Sequence, residues 1–253
     1  MSVYNKLLYN ESFTICYGYA NEGEPEKIVL HENTRVITPS AFLNNKSIKE
    51  IVFNEKIELI DNSAFEESSI EKVHIPDTVT LSTRSFALCE NLEEVILDTL
   101  DIPRDCFLGS HIKNITINSR AIDEYAFHHA KFDNISLSKN VVKLDDCAFY
   151  NCTFENDTLI LPNSITSIGD LCFAFSNLKY VYLPKDVNML PAMLAEPFGS
   201  EIIFYVPESL IKKHKDLDPF INNIKILNID TLLEEHKSFK EINEIKKITE
   251  YEI

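Results

Sequence analysis

The chain has 253 residues, 45 % hydrophobic and 25 % charged, a balance typical of a folded soluble protein and unlike that of a disordered one. Its net charge of −16, from 40 acidic and 24 basic residues, repels phosphate backbones and anionic lipid, which argues against nucleic-acid and membrane-surface partners. No stretch approaches the ~20 apolar residues of a membrane span, and the opening "MSVYNKLLYNESFTICYGYA" lacks a basic segment followed by an apolar run. The expectation is a cytoplasmic protein, or an extracellular or cell-surface one if a leader has been removed.

Residues 1–33 are expected to form an N-terminal cap, a β-hairpin followed by a first strand. From residue 34 to residue 206 a unit repeats about seven to eight times. Each copy carries a small residue followed by phenylalanine, giving the column Phe42, Phe65, Phe86, Phe107, Phe127, Phe149 and Phe173, with spacings of 23, 21, 21, 20, 22 and 24 residues. After each Phe comes an apolar pattern L-x-x-L-x-L. It reads "IKEIVF" (Ile48–Phe53), "IEKVHI" (Ile70–Ile75), "LEEVIL" (Leu92–Leu97), "IKNITI" (Ile112–Ile117), "FDNISL" (Phe132–Leu137) and "LKYVYL" (Leu178–Leu183). The copy "FENDTLIL" (Phe154–Leu161) places two extra residues before Leu159 and Leu161, which predicts a bulge there. "EIIFYV" (Glu201–Val206) is a divergent last copy.

The end of each pattern alternates as a strand with one buried face does. A second apolar touch, such as Ile57/Ile60, Val141/Leu144 or Ile165/Ile168, leads back to the next Phe. One unit is therefore a short strand, a turn often marked by Pro (Pro76, Pro162, Pro184) and an irregular or helical return. Pro fits at a strand end, where it removes no bond from the middle of a ladder. A single unit cannot bury its apolar face alone, and stacking neighbours does so.

The phrase I-x-x-x-A/C-F-x-x-C/S-x-x-L-x-x-V-x-L-P, clearest in "SIGDLCFAFSNLKYVYLP" (Ser167–Pro184) and "STRSFALCENLEEVIL" (Ser82–Leu97), resembles the BspA-type leucine-rich repeat. The resemblance runs from about Ile28 to about Leu227. It implies a mainly β, right-handed solenoid with one parallel sheet face, capped at both ends and used as a recognition surface, often on bacterial or protozoal proteins. It also implies a C-terminal helical cap over residues 207–227, "VPESLIKKHKDLDPFINNIKIL" with its Val. No secretion signal or anchor is visible in these residues, so the adhesive role of the family's adhesins is not the expectation here.

The Phe column reads as the core spine. Cys89 and Cys152 sit three residues after a column Phe, and Cys106 and Cys172 immediately before one, as small buried hydrophobes do. Cys16 and Cys147 complete the six; none forms a CxxC pair, and none has a base at a matching position. His128 and His129 follow Phe127 directly and read as a solvated turn. With five glycines there is no GxGxxG or P-loop, and HExxH and GxSxG are absent. No cofactor and no metal are expected.

The outward residue between the last two core positions gives a column Val29, Val52, His74, Ile96, Thr116, Ser136, Ile160, Tyr182, Tyr205. A flanking column runs Glu50, Lys72, Glu94, Asn114, Asn134, Thr158, Tyr180, Ile203. Tyr180, Tyr182, Tyr205, Ile160 and Ile203, with His74 further along, are the candidate binding residues. The alternative is that the closing helix or the tail covers the tyrosines. Residues 228–253 leave the repeat; they can pack on the solenoid, pair with a second copy as a homo-oligomer contact, or stay mobile. The expected function is a non-enzymatic protein–protein interaction module presenting the sheet face to another protein. A glycan or small-ligand binder using the tyrosines is the alternative, and a Cys/His enzyme a more distant one.

Overall fold

Period-2 apolar patterning makes strands, and its recurrence every 20–24 residues stacks them in parallel. The computed structural model describes residues 1–20, 26–188, 202–213 and 224–226. Strands β1 (Ser2–Tyr4), β2 (Leu7–Tyr9) and β3 (Ile15–Tyr19) run antiparallel at the N-terminal end. Every later pair is parallel. In chain order a strand of the main face alternates with a two-residue strand of a second face. These are β4 (Lys27–Val29), β5 (Val36–Ile37), β6 (Glu50–Val52), β7 (Leu59–Ile60), β8 (Lys72–Ile75), β9 (Thr80–Leu81), β10 (Leu92–Leu97), β11 (Asp101–Ile102), β12 (His111–Ile117), β13 (Ala121–Ile122), β14 (Lys131–Leu137) and β15 (Lys143–Leu144). Then follow β16 (Thr153–Phe154), β17 (Thr158–Ile160), β18 (Ser167–Ile168), β19 (Tyr180–Tyr182), β20 (Ile203–Val206), helix α1 (Glu208–Lys213) and β21 (Ile224–Ile226).

The main face is a seven-stranded sheet from β4 to β16, followed by a separate four-stranded sheet, β17-β19-β20-β21. The returns were expected to be irregular or helical. In the structure they hold the two-residue strands, whose second ladder joins Ile37, Ile60 and Leu81 from coil to coil. Of the expected C-terminal helical cap, the described residues hold the six-residue helix α1 and the parallel strand Ile224–Ile226, with Phe204 opposite Ile224. The expectations for residues 228–253 lie outside the described residues.

The third side of each coil is the turn that carries the column Phe. Residues two before and two after each Phe adopt left-handed backbone, with φ between 54° and 63° from Ser40 to Phe175. Among these fourteen positions only Gly109 is glycine; the others include Arg84, Leu88, Tyr125 and Leu171. Each costs an L-residue roughly 1–2 kcal/mol. The conformation is held because it aims two or three N–H groups per coil at the next one. Phe65 N–H donates to Ser85 O (2.8 Å) and Glu67 N–H to Ala87 O (2.9 Å), and the pattern continues to Phe149 N–H on Cys172 O (2.9 Å) and Asn151 N–H on Ala174 O (2.8 Å). Buried backbone is thus paired without a strand.

Inside, the column rings stack face to face. Centroids lie 5.0 Å apart for Phe42–Phe65, 5.1 Å for Phe65–Phe86, 5.5 Å for Phe86–Phe107, 5.3 Å for Phe107–Phe127, 5.3 Å for Phe127–Phe149 and 5.9 Å for Phe149–Phe173. A buried small residue three positions later donates to the carbonyl of the preceding coil's Phe. Cys89 Sγ donates to Phe65 O (3.1 Å), Ser110 Oγ to Phe86 O (2.6 Å) and Cys152 Sγ to Phe127 O (2.9 Å). Cys89 and Cys152 therefore do the work Ser110 does.

Candidate recognition surface

The strand register reproduces the outward columns. Val29 pairs with Val52, His74 with Ile96, Ile96 with Thr116 and Thr116 with Ser136. In the flanking column Glu50 pairs with Lys72, Lys72 with Glu94, Glu94 with Asn114 and Asn114 with Asn134. Val29, Val52, Lys72, His74, Glu94, Asn114, Thr116, Asn134 and Ser136 are all exposed. Several polar groups of this face are tied down. Asn134 Nδ2 donates to Asn114 Oδ1 (3.1 Å), and Lys27 Nζ lies 2.7 Å from Glu50 Oε1. His74 Nε2 lies 2.6 Å from Asp98 Oδ2, and Asn118 Nδ2 donates to Asp98 Oδ1 (2.7 Å). Partial burial pushes the Asp98 carboxyl up, but the hydrogen bonds from His74 and Asn118 outweigh it and hold the group below the usual carboxylate range. His74 is thus an exposed member of an ordered polar face, far from the tyrosines.

Of the two readings of the tyrosine group, exposed or covered, Tyr182 and Tyr205 follow the second. Tyr182 pairs with Ile160 and Tyr205, and Tyr180 with Ile203, so the five candidate residues do share one face. Tyr182 and Tyr205, however, are only 4 % and 1 % exposed. Their rings stack on each other at 4.5 Å and 6°, with Tyr180 tilted against Tyr205 at 6.0 Å. Ile160, Tyr180 and Ile203 pack around them as a second small core. The exposed-patch reading is corrected for Tyr182 and Tyr205: their ring faces are spent on each other and on packing.

The histidines after Phe127 lie on the turn column, His129 exposed and His128 half-buried, with rings stacked at 4.1 Å. Tyr125 and Tyr150 flank His128 at 5.2 and 5.3 Å, and the Arg104 guanidinium sits 4.9 Å over the Tyr125 ring. Burial by its neighbours, with His129 and Arg104 nearby, lowers the His128 pKa. The left-handed residues bring this surface cluster together, and the sequence reading did not foresee it. All six cysteines are free and buried. Burial pushes the thiols of Cys16 and Cys89 up to about 11 and those of Cys106, Cys147, Cys152 and Cys172 upward as well. A nucleophilic thiol needs the opposite shift. Among the described residues no three His, Cys, Asp or Glu side chains form a metal cluster, and no helix is long and apolar enough to cross a membrane.

The sequence profile of the BspA type leucine rich repeat region matches in six copies, over residues 16–122 and 100–196. The chain belongs to the BspA-type leucine-rich repeat family. No curated protein matches it in sequence. Among solved structures, a leucine-rich repeat protein from Bacteroides ovatus is similar, with a TM-score of 0.55 and 16 % identity, over 80 % of this chain and 54 % of that one. The BspA-type chain therefore spans about half the length of that relative, and at this identity the likeness concerns the fold. A leucine rich cell surface protein from Faecalibacterium prausnitzii aligns over 83 % of this chain and 71 % of its own at 15 % identity, with a TM-score of 0.39. The pneumococcal vaccine antigen PcpA aligns over 87 % and 82 % at 17 % identity, with a TM-score of 0.30.

Proposed function

We propose that this BspA-type chain is a non-enzymatic protein-interaction module and that its binding surface is the outer face of the seven-stranded sheet. One observation carries the reading: the two register-aligned outward columns from Val29 to Ser136 lie side by side on one sheet and are exposed at every position but the half-buried Glu50 and Ile96. Seven strands at ~4.8 Å spacing make a face about 30 Å long, and the outward positions give it a width of about 15 Å. The resulting area, on the order of 450 Å², is about half the ~800 Å² per partner of a standard interface. A partner held by this face alone belongs to the weak, exchanging class, and a tight one must also reach over an edge of the sheet.

The face is mixed in sign at its N-terminal end, with Lys27, Glu50, Lys72 and Glu94, and amide- and hydroxyl-rich further on, with Asn114, Thr116, Asn134 and Ser136. Such a surface selects by hydrogen bonding and charge pattern more than by apolar contact. The test places a photo-crosslinking residue at Thr116 and, separately, at Lys143 on the two-residue-strand face, and exposes each variant to source lysate. One partner cross-linked from position 116 and not from 143 is the expected result. Equal capture from both positions, or capture from 143 alone, refutes the assignment of the face.

A further inference from the structure

The main face is interrupted at one place, between β14 and β17. Phe154 follows Phe132 by 22 residues, whereas Leu159 follows Ile135 by 24, so two extra residues intervene. β14 pairs with β16 only through Lys131↔Thr153 and Phe132↔Phe154, while β17 pairs with β19 alone. A cleft of about 260 Å³ separates them, lined on one side by Asn134 to Leu137 and on the other by Glu155, Asn156 and Thr158 to Ile160.

Two observations show what the cleft lacks. Alternate residues of a parallel strand turn both backbone groups to the same side. Ser138 N–H donates to Ile117 O (2.9 Å), so Asn134 and Ser136 face β12, and the amides and carbonyls of Ile135 and Leu137 face the cleft. Leu161 N–H donates to Tyr182 O (3.1 Å), so Thr158 and Ile160 turn theirs to the cleft from the far side. Two strand edges thus confront each other unpaired. The apolar side chains register the same gap: Ile115 and Ile117 are 3 % and 0 % exposed in the preceding coil, but their counterparts Ile135 and Leu137 are only half-buried.

We infer that this cleft is a docking site for an extended segment of a partner protein, which inserts as a strand between β14 and β17. The inference rests on the protein-interaction reading above and gives it a specific mode. Facing rows of backbone donors and acceptors are satisfied by another extended backbone, and a volume below the ~300–1,000 Å³ of a drug-sized site suits one slender chain. The inserted segment carries apolar residues at alternate positions, directed at Ile135, Leu137, Phe154 and Leu159. It carries a basic residue toward Glu155, an exposed carboxylate on the rim beside Asp133, which is itself 3.0 Å from His111.

The test pans the full chain against a phage-displayed library of random nine-residue peptides and synthesises those enriched. The expected peptides alternate apolar and polar residues and include a lysine or arginine. At saturation they slow amide hydrogen exchange at Ile135, Leu137, Thr158 and Ile160 at least tenfold. Deleting Asn156 and Asp157, which brings Leu159 to the 22-residue spacing, abolishes their binding, and Glu155→Lys weakens it at least fivefold with an unchanged Tm. Should the deletion variant fail to fold, the exchange data on the unaltered chain and the Glu155→Lys titration decide. No enrichment, enriched peptides that leave those four amides unprotected, or binding that survives the deletion overturns the inference. So does a concentration-dependent dimer that forms without peptide and is lost on deletion, because the occupant is then a second copy. A partner captured from position 116 that binds the deletion variant as well as it binds the unaltered chain leaves the interaction reading standing and removes the cleft from it.

Discussion

Phe107→Ala removes the ring at the centre of the stack. Phe107 is fully buried, with Phe86 at 5.5 Å on one side and Phe127 at 5.3 Å on the other. Its transfer from water is worth about 1.5–3 kcal/mol, and each ring pair adds about 0.5–1.5 kcal/mol. The expected cost is therefore about 4 kcal/mol, within the ~3–5 kcal/mol range of core Phe→Ala substitutions. In a chain of 253 residues that lowers Tm by about 12 °C, at roughly 3 °C per kcal/mol. Phe107→Leu keeps most of the volume but neither ring pair, so it should cost about 1–2 kcal/mol. Nearest-neighbour coupling makes the site matter to both flanking coils, so the unfolding transition should also broaden or split. Circular dichroism melts and urea titrations of both variants read this out. A loss below about 1 kcal/mol for Phe107→Ala, or equal losses for Ala and Leu, would refute the stacked-spine account.

Four shorter expectations follow from other features. Glu67, exposed at φ 58°, should accept Gly with a change within about 1 kcal/mol, while Glu67→Val should cost about 1–2 kcal/mol in urea unfolding. Arg84 hydrogen-bonds the Glu66 carboxylate and holds its pKa below 4.5, so the pair's stabilisation is full above pH 4.5 and is lost as pH falls through the depressed value. The Tm gap between the unaltered chain and Glu66→Gln should accordingly be widest at neutral pH and close on acidification toward pH 3; a gap that widens contradicts the assignment. A thiol reagent should modify none of the six cysteines before global unfolding and all six after it, as counted by mass spectrometry. Tyr205→Ala should destabilise by about 3 kcal/mol, because an almost fully buried ring stacked on Tyr182 is lost; an unchanged Tm would return the tyrosines to the list of surface residues.

Much of this architecture is readable in the residues because the signals are redundant. The Phe column and the alternating strand ends agree in every coil, and the parity that buries Ile115 and Ile117 also exposes Thr116. Outward columns inferred from parity alone match the strand register from Val29 to Ser136 and from Ile160 to Tyr205. Parity says which way Tyr182 points but not whether packing closes over it, so its burial was not legible. Two-residue strands such as Leu59–Ile60 are too short to show a period. The left-handed turns carry no consistent compositional mark either: Asn44, Gly109 and Asn151 fit the conformation, but Arg84, Leu88, Tyr125 and Phe175 stand where glycine or asparagine would announce it. The extra residues around Asn156 were visible as an irregularity, but that they leave Ile135 and Leu137 without a neighbouring strand required the strand pairing.

The turn side of the coil bears on how such a chain can change its length. Both ends of a coil meet their neighbours through the same set of contacts: a Phe ring above and below, a carbonyl before the Phe, and one rung in each ladder. Excising the twenty residues from one column Phe to the next, as from Leu108 to Phe127, removes one rung from every ladder and leaves matching surfaces to rejoin. Excising half as many puts a strand where a turn must be and leaves buried amides facing nothing. Loss or gain in this protein is thus quantised, and its natural unit of variation is the whole coil.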